Sequence, residues 1–323
     1  MNKEPLISVV MPAYDVGEYI ELSIKSILNQ TLSDFEFIII DDGSTDNTVD
    51  IIKSFNDKRI KLYIQDKNMG LFHTLNYGLN LSSGKYIARM DGDDVSIPER
   101  FRMQVDFLEK NKEISILGTS IIRMDNNIRI DYPLDHDSIK VHLLRDPAFA
   151  HPTVMMRRAD IVSKGLKYGS FVEDYSLWTD AAIAGVKFAN LNEVLLEYRV
   201  YATQFTSSNI TKLEVEAKKI RRKYAMAFSN NRLSEKDLWA IERNYFEVSA
   251  IESAFTINKL ISLNTQIRFF NPVKLKSFLW ENISLKINKN SIIELINRNL
   301  PVSFKIWLIK NYLQKAFYNL TQK

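Results

Sequence analysis

No cysteine occurs among the 323 residues, which excludes disulfide frameworks and thiolate metal sites together. A metal, if there is one, must be held by oxygen or imidazole, and an oxygen set favours a hard cation such as Mg2+ or Mn2+. Long hydrophobic runs are also missing. The apolar-rich stretch that starts at Leu6 is too short for the apolar core of a signal peptide and far too short to span a bilayer. The expected location is therefore the cytoplasm. Neither an internal repeat nor a low-complexity linker interrupts the chain.

What remains is the balance of an ordinary folded protein, with 46% hydrophobic and 25% charged residues. The length suits one large α/β domain plus an appendage. A net charge of +4 hides an asymmetry: residues 1–204 carry 23 Lys+Arg against 30 Asp+Glu, or −7, and the remainder carries 20 against 9, or +11. Two regions with different partners are implied.

Short β-branched runs alternate with amphipathic stretches in the first half, the pattern of a largely parallel sheet with crossover helices. Strands are expected at 6–11, 35–40, 60–65, 85–90 and 114–118, with a further strand or hairpin arm over 120–130. Helices are expected at 18–30, 45–55 and 70–81. From residue 209 onward the periodicity is helical almost throughout, so the chain divides into 1–208 and a basic, mainly helical 209–323.

Two acidic clusters follow strands of the first part. Asp41 and Asp42 precede a tight turn at Gly43 and Ser44, and at the carboxyl end of a strand such a turn lies where open α/β sheets bind ligands. Asp42 is suited to accept a hydrogen bond from a base N–H, whereas Ser44, Thr45 and Asp46 could equally cap the next helix. Asp91, Asp93 and Asp94 repel one another unless a cation or solvent relieves them. A divalent ion would do so, and with diphosphate oxygens in its shell it would stabilise a departing nucleotide diphosphate. Taken alone, the same triplet also reads as a solvated acidic turn before Pro98.

Read together and in order, five motifs become specific: SVVMPAY at 8–14, DDGSTD at 41–46, NMG at 68–70, GKYI at 84–87 leading into DGDD at 91–94, and EDYSLW at 173–178. This succession, over about the first 200 residues, resembles the glycosyltransferases of family 2. The resemblance implies a GT-A fold, a Rossmann-like nucleotide-binding half joined to an acceptor half. It implies an inverting enzyme that moves one sugar from a nucleotide-diphosphate sugar, by family habit a UDP-sugar, to a glycan acceptor, with bacterial O-antigen, capsule or exopolysaccharide synthesis as the setting. Pro12, Ala13 and Tyr14 would lie along the nucleoside, with Tyr14 stacked on the base. Asp41 and Asp42 would hold the base, Asn68 would join the donor site, and Asp91 would touch ribose or donor sugar. Asp93 would be the principal ligand of Mn2+ or Mg2+, and Asp174 the general base.

A base at Asp174 also makes chemical sense without the resemblance, because an acceptor hydroxyl attacking an anomeric carbon must lose its proton as the oxocarbenium-like state forms. Read structurally, Glu173 and Asp174 are simply acids favoured at a helix N-terminus. On the acceptor side, Glu173, His151 and Trp178 are candidates, Trp178 as a flat surface for a sugar ring, although either ring could be core. Two positions depart from the family pattern: Asp15 stands where Asn is usual, and Tyr201, in the run from Glu197, stands where His is usual. Tyr is a poor ligand for a divalent ion at neutral pH, and Arg199 could instead clamp the diphosphate.

The tail pairs Lys and Arg with large apolar residues. Residues 218–223 are a cationic run, and 304–320 mix Trp307, Tyr312, Phe317 and Tyr318 with Lys305, Lys310 and Lys315. An anionic membrane surface suits that composition, as would a lipid-linked acceptor, so a peripheral place on the inner membrane face stands beside a merely solvated helical face. Nucleic acid binding has no recognition motif to support it. A nucleotidyltransferase would need a basic glycine-rich phosphate loop, which is missing. A non-catalytic sugar-nucleotide-binding or scaffold protein on the same fold remains the alternative.

Overall fold

The computed structural model describes residues 4–169, 171–201, 209–234, 237–238, 250–284, 289–298 and 300–321. They form two compact units. One comprises residues 1–139 and 146–220, the other 140–145 and 221–323.

The first unit is built on one mixed sheet. Its strands are β1 (Ile7–Ala13), β2 (Phe35–Asp41), β3 (Ile60–Ile64), β4 (Tyr86–Arg89), β5 (Val95–Ser96), β6 (Ile116–Arg123), β7 (Arg129–Ile130), β8 (Met155–Arg157) and β9 (Phe188–Tyr198). They run in the order β3-β2-β1-β4-β8-β6-β9-β5, with β7 hairpinned onto β6. β3, β2, β1 and β4 are parallel. β8 is antiparallel to both β4 and β6, so β6 again runs with β4. The helices of this unit are α1 (Ile20–Leu28), α2 (Thr48–Ser54), α3 (Leu71–Leu81), α4 (Arg100–Lys110), α5 (His136–His142), α6 (Arg158–Ser163) and α7 (Glu173–Ile183), α5 passing into the other unit at its end.

Every residue of β1 and β2 is buried, as expected of strands covered on both faces. Val9, Met11, Phe37 and Ile39 share one core with Ile20, Ile24 and Ile27 of α1. Val10 and Ile40 face α3 instead, where a Cβ on Gly78 would come within 2.3 Å of Val10 Cγ1 and 3.1 Å of Ile40 Cδ1. Glycine is what lets α3 lie this close to the sheet. At the opposite, amino end of the strands, buried Glu36 accepts hydrogen bonds from Ser8 Oγ (2.5 Å), Ser83 Oγ (2.7 Å) and Lys61 Nζ (2.6 Å). Burial would raise its pKa, but these donors pull it down to about 2.

Two strands differ from their expected limits for local reasons. β1 continues through Pro12 to Ala13. Val10 O accepts from Met90 N on the β4 side and Ala13 O from Asp42 N on the β2 side, so Pro12, alternating with Ala13, faces β4 beyond its last paired residue. The missing N–H there breaks no ladder. The expected strand at 114–118 and the arm at 120–130 are one strand and a turn: β6 runs on past an irregularity between Thr119 and Ser120 and then pairs with β7.

The second unit is helical. α8 (Ile210–Phe228) enters it, followed by α9 (Ala250–Ile267), α10 (Pro272–Ser284), α11 (Lys289–Asn297) and α12 (Val302–Thr321). Its core holds Tyr224, Phe228, Phe269 and Phe270 in edge-to-face and stacked pairs, with Lys140 Nζ 3.7 Å from the Phe269 ring centre. No described helix is long and apolar enough to cross a membrane.

Candidate active site

The candidate residues gather where β1, β2 and β4 end and the chain turns into loops, the edge at which parallel α/β sheets carry their ligands. Pro12 and Ala13 are buried in β1, and Tyr14 emerges 44% exposed. Asp15 follows in the left-handed region, φ 47°, which Asp and Asn tolerate better than other side chains. Its Oδ1 accepts from Thr45 N (2.7 Å) and Asp46 N (3.3 Å), while its own N–H donates to Ser44 Oγ (3.0 Å). These bonds ask for one side-chain oxygen at position 15. Asn would supply it as well, so the departure from the family pattern leaves the turn intact.

Asp41 and Asp42 shape two loops. Asp41 Oδ2 accepts from Gly43 N (3.1 Å) and Ser44 N (3.0 Å), and its buried Oδ1 has no hydrogen-bond partner. Gly43 sits at φ +77°, with a Cβ position 2.7 Å from the Lys67 carbonyl carbon. Only glycine fits there. Asp42 Oδ1 accepts from Gln65 Nε2 (2.9 Å) and Met69 N (2.8 Å), and Oδ2 from Gly70 N (2.9 Å). Most of its acceptor capacity is thus spent on the loop that exposes Asn68. Of the three capping candidates, Asp46 is the one whose carboxylate receives the first helical N–H of α2, from Thr48 (2.9 Å).

The second cluster lies beyond β4. One oxygen each from Asp91, Asp93 and Asp94 lies within 4.8 Å of the others. Each carboxylate spends one oxygen on a neighbour: Asp91 Oδ2 pairs with Arg89 Nη1, Asp93 Oδ2 accepts from Tyr201 Oη (3.0 Å), and Asp94 Oδ1 accepts from Arg199 N (2.9 Å). Asp94 Oδ2 is buried with no hydrogen-bond partner. Burial, then the Asp91 charge, lifts Asp93 to about 6, and the same causes lift Asp94 well above the carboxylate range. An all-oxygen, mutually repelling set with an orphaned oxygen fits a small divalent cation. Opposite ligands of Mg2+ stand about 4.2 Å apart, so little closure is needed. Arg199 also donates from Nε to Asp93 O (2.8 Å), with its guanidinium 4.5 Å from the Tyr19 ring centre. Tyr201 therefore orients Asp93 through its hydroxyl, in the place where the family pattern has histidine.

Glu173 and Asp174 open α7, the helix-start position that their structural reading requires. Both are nonetheless raised. Burial, then the Asp174 charge, brings Glu173 to about 8, and burial raises Asp174 although it accepts from Tyr175 N (2.6 Å). His151 Nε2 lies 3.1 Å from Tyr168 Oη, and its Nδ1 lies 3.7 Å from Glu173 Oε1. The second contact has ion-pair geometry, but burial holds His151 well below its ordinary pKa. With Glu173 at about 8 it joins two neutral groups at pH 7. Trp178 is fully buried against Phe149 and His151, with ring centres 5.2 and 5.9 Å away. It offers no open face to a sugar ring, and its place is in the core.

Sequence reasoning missed Arg89, Gln65 and Tyr168. For Arg89 a signal existed: a cation at the end of an otherwise apolar, fully buried strand is rare unless paired. Its charge lowers the pKa of Asp93 and Asp94 and also that of Glu173 and Asp174, in each case against the larger effect of burial. The two acidic groups therefore share one buried guanidinium.

The chain matches the family model for glycosyl transferase family 2 over residues 8–166. It is 34% identical to the O-antigen biosynthesis glycosyltransferase WbnJ of Escherichia coli, across 67% of this chain and 88% of that protein. With the Escherichia coli UDP-Glc:alpha-D-GlcNAc-diphosphoundecaprenol beta-1,3-glucosyltransferase WfaP it shares 30% identity, across 64% of this chain and 82% of that protein. Among solved structures, that of S. aureus TarS 1-349 in complex with UDP-GlcNAc superposes with a TM-score of 0.59 at 16% identity, covering 89% of this chain and 90% of the other. The fold is thus of the GT-A type.

Proposed function

The chain belongs to glycosyltransferase family 2, and from that premise we propose that it is a metal-dependent, inverting glycosyltransferase that takes one sugar from a UDP-sugar. Its acceptor is a lipid-linked glycan of a bacterial surface polysaccharide. The observation that carries this reading is a three-carboxylate cluster and a raised, partly buried aspartate that both feel the charge of buried Arg89. An anomeric carbon between them would have a leaving-group site on one side and a base on the other.

In this reading Tyr14 stacks on the base, and Asp42 keeps the 68–70 loop in place while using its remaining lone pair on the base N–H. Pro12, Ala13 and Asp41 form the floor beneath, and Asn68 lies at its rim. Asp93, with Asp94, would hold Mn2+ or Mg2+. When bound, the cation supplies Lewis-acid stabilisation of the charge that appears on the leaving group. Arg199 adds a second positive charge on that side. Asp174 accepts the proton of the acceptor hydroxyl as its oxygen bonds to the anomeric carbon. The bond from that carbon to the diphosphate oxygen breaks on the opposite face, with the electron pair leaving on the nucleotide. A single displacement inverts configuration. Glu173, uncharged at neutral pH, can donate a hydrogen bond to the acceptor, with His151 lying beside it.

Support for a lipid-linked acceptor comes from the second unit. Along α12, Val302, Ile306 and Leu313 are 71%, 61% and 59% exposed at helical spacing. Lys305, Lys310 and Lys315 lie on the same helix, and no acidic residue follows Glu294. An apolar stripe flanked by lysines suits the surface of an anionic bilayer.

The direct test is calorimetric titration of UDP-glucose, UDP-galactose and UDP-N-acetylglucosamine with Mn2+ and with EDTA. One of them should bind in a metal-dependent way, and Asp93→Ala should weaken that binding by roughly 10²-fold. A folded protein that binds none of the three, or binds them equally well in EDTA, contradicts the reading and favours a non-catalytic scaffold.

A further inference from the structure

Each carboxylate of the cluster beyond β4 has one of its two oxygens capped by a donor. Arg89 Nη1 is ion-paired to Asp91 Oδ2, Tyr201 Oη donates to Asp93 Oδ2 (3.0 Å), and Arg199 N donates to Asp94 Oδ1 (2.9 Å). One oxygen is left on each: Asp91 Oδ1, Asp93 Oδ1 and Asp94 Oδ2, the last buried and without a hydrogen-bond partner. Among the described residues no histidine joins the cluster, so a cation there meets oxygen alone. A hydrogen held on a carboxylate oxygen carries partial positive charge and opposes a cation at that same oxygen. Each carboxylate thus offers the ion one oxygen and not two.

The caps are held in place. The Tyr201 ring lies 5.1 Å from that of Tyr19 at the start of α1, and the Arg199 guanidinium packs 4.5 Å from the same ring while its Nε donates to Asp93 O (2.8 Å). Ser23 Oγ of α1 donates to Asp94 O (2.6 Å), and directly after the cluster β5 pairs with β9, Val95 opposite Glu197. The loop is therefore fixed from α1 and from β9, with little freedom to turn a second oxygen inward. Ion size responds to this difference. Ca2+ takes about six to eight oxygens and often grips a carboxylate through both, whereas Mg2+ takes about six at shorter distance and keeps several waters. Given the metal-dependent reading above, on which this inference rests, we propose that the caps make the site selective by ion size, admitting Mg2+ and Mn2+ and excluding Ca2+, with the Tyr201 hydroxyl setting that selection at Asp93. Of the three caps, this hydroxyl is the one that a substitution removes without removing a charge.

The experiment uses the full chain with UDP and follows the electron paramagnetic resonance signal of free Mn2+, which falls as the ion binds, with UDP alone as the blank. Mg2+ or Ca2+ is then added to displace the bound Mn2+. For the wild type, Mg2+ should displace it at a concentration at least about tenfold lower than Ca2+ does. Tyr201→Phe frees Asp93 Oδ2 for the larger ion, so the gap should narrow to about threefold or less through a gain in Ca2+. If Tyr201→Phe does not fold, the wild-type competition decides. Ca2+ that displaces Mn2+ from the wild type as readily as Mg2+ would overturn the proposal. So would a folded Tyr201→Phe variant in which the gap is unchanged, or in which all three ions weaken alike, since the hydroxyl would then only support the loop. A folded wild type that takes up no Mn2+ in the presence of UDP would sink the metal-dependent reading itself, and this inference with it.

Discussion

Asp174, the base of the proposed transfer, would serve both a helix and a reaction. Opening α7, it occupies the place where a carboxylate gains from the helix dipole, yet burial raises its pKa. The sign of the consequence follows. A carboxyl whose folded pKa lies above its unfolded value of about 3.9 binds more protons folded than unfolded in between, so stability falls as pH rises through that window. Asp174→Asn should therefore melt no lower than wild type at pH 7. Transfer should drop by about 10²- to 10⁴-fold, the usual worth of a general base, with UDP-sugar binding retained. The wild-type rate should fall on the acid side through a pKa above the ordinary aspartate range. A variant with wild-type kcat, or one that loses donor binding as well, would remove Asp174 from this role. At this scale the acidic clusters were legible because carboxylates at strand ends are costly without a purpose. Trp178 misled, since an indole that packs on Phe149 and one that stacks on a sugar are the same letter in sequence.

At the scale of elements, β1 and β2 were plain in their β-branched runs, but their ends were not. β1 outlasts the proline that appeared to stop it because its neighbour ends first, a fact of pairing that no local propensity contains. β6 absorbs an irregularity that split it into two in the sequence, for the same reason. α12 carries a prediction of its own. The full chain should sediment with phosphatidylglycerol-containing vesicles and not with neutral phosphatidylcholine. Ile306→Glu with Leu313→Glu should lose most of that binding, and raising the salt should weaken it, as expected of an interfacial basic helix. Sedimentation unchanged by the double substitution would exclude this stripe as the contact.

Across the whole chain, charge follows chemistry. Residues 1–204 carry −7 and include the carboxylates proposed to hold the cation and to act as base, whereas the remaining +11 suits an anionic surface. What the sequence could not convey was the bridge between its own motifs. DGDD and EDYSLW stand about eighty residues apart, and only the folded chain brings them within electrostatic reach of one another, Asp91 acting on Glu173. The central claim is that the cleft performs a single displacement at an anomeric carbon. It is tested most directly by proton NMR of the hexose that the wild-type protein, with Mn2+, slowly releases from an α-linked UDP-hexose when water takes the acceptor's place. The β anomer should appear first, before mutarotation, and EDTA should stop its release. An α anomer appearing first, or release that persists in EDTA, would contradict the account.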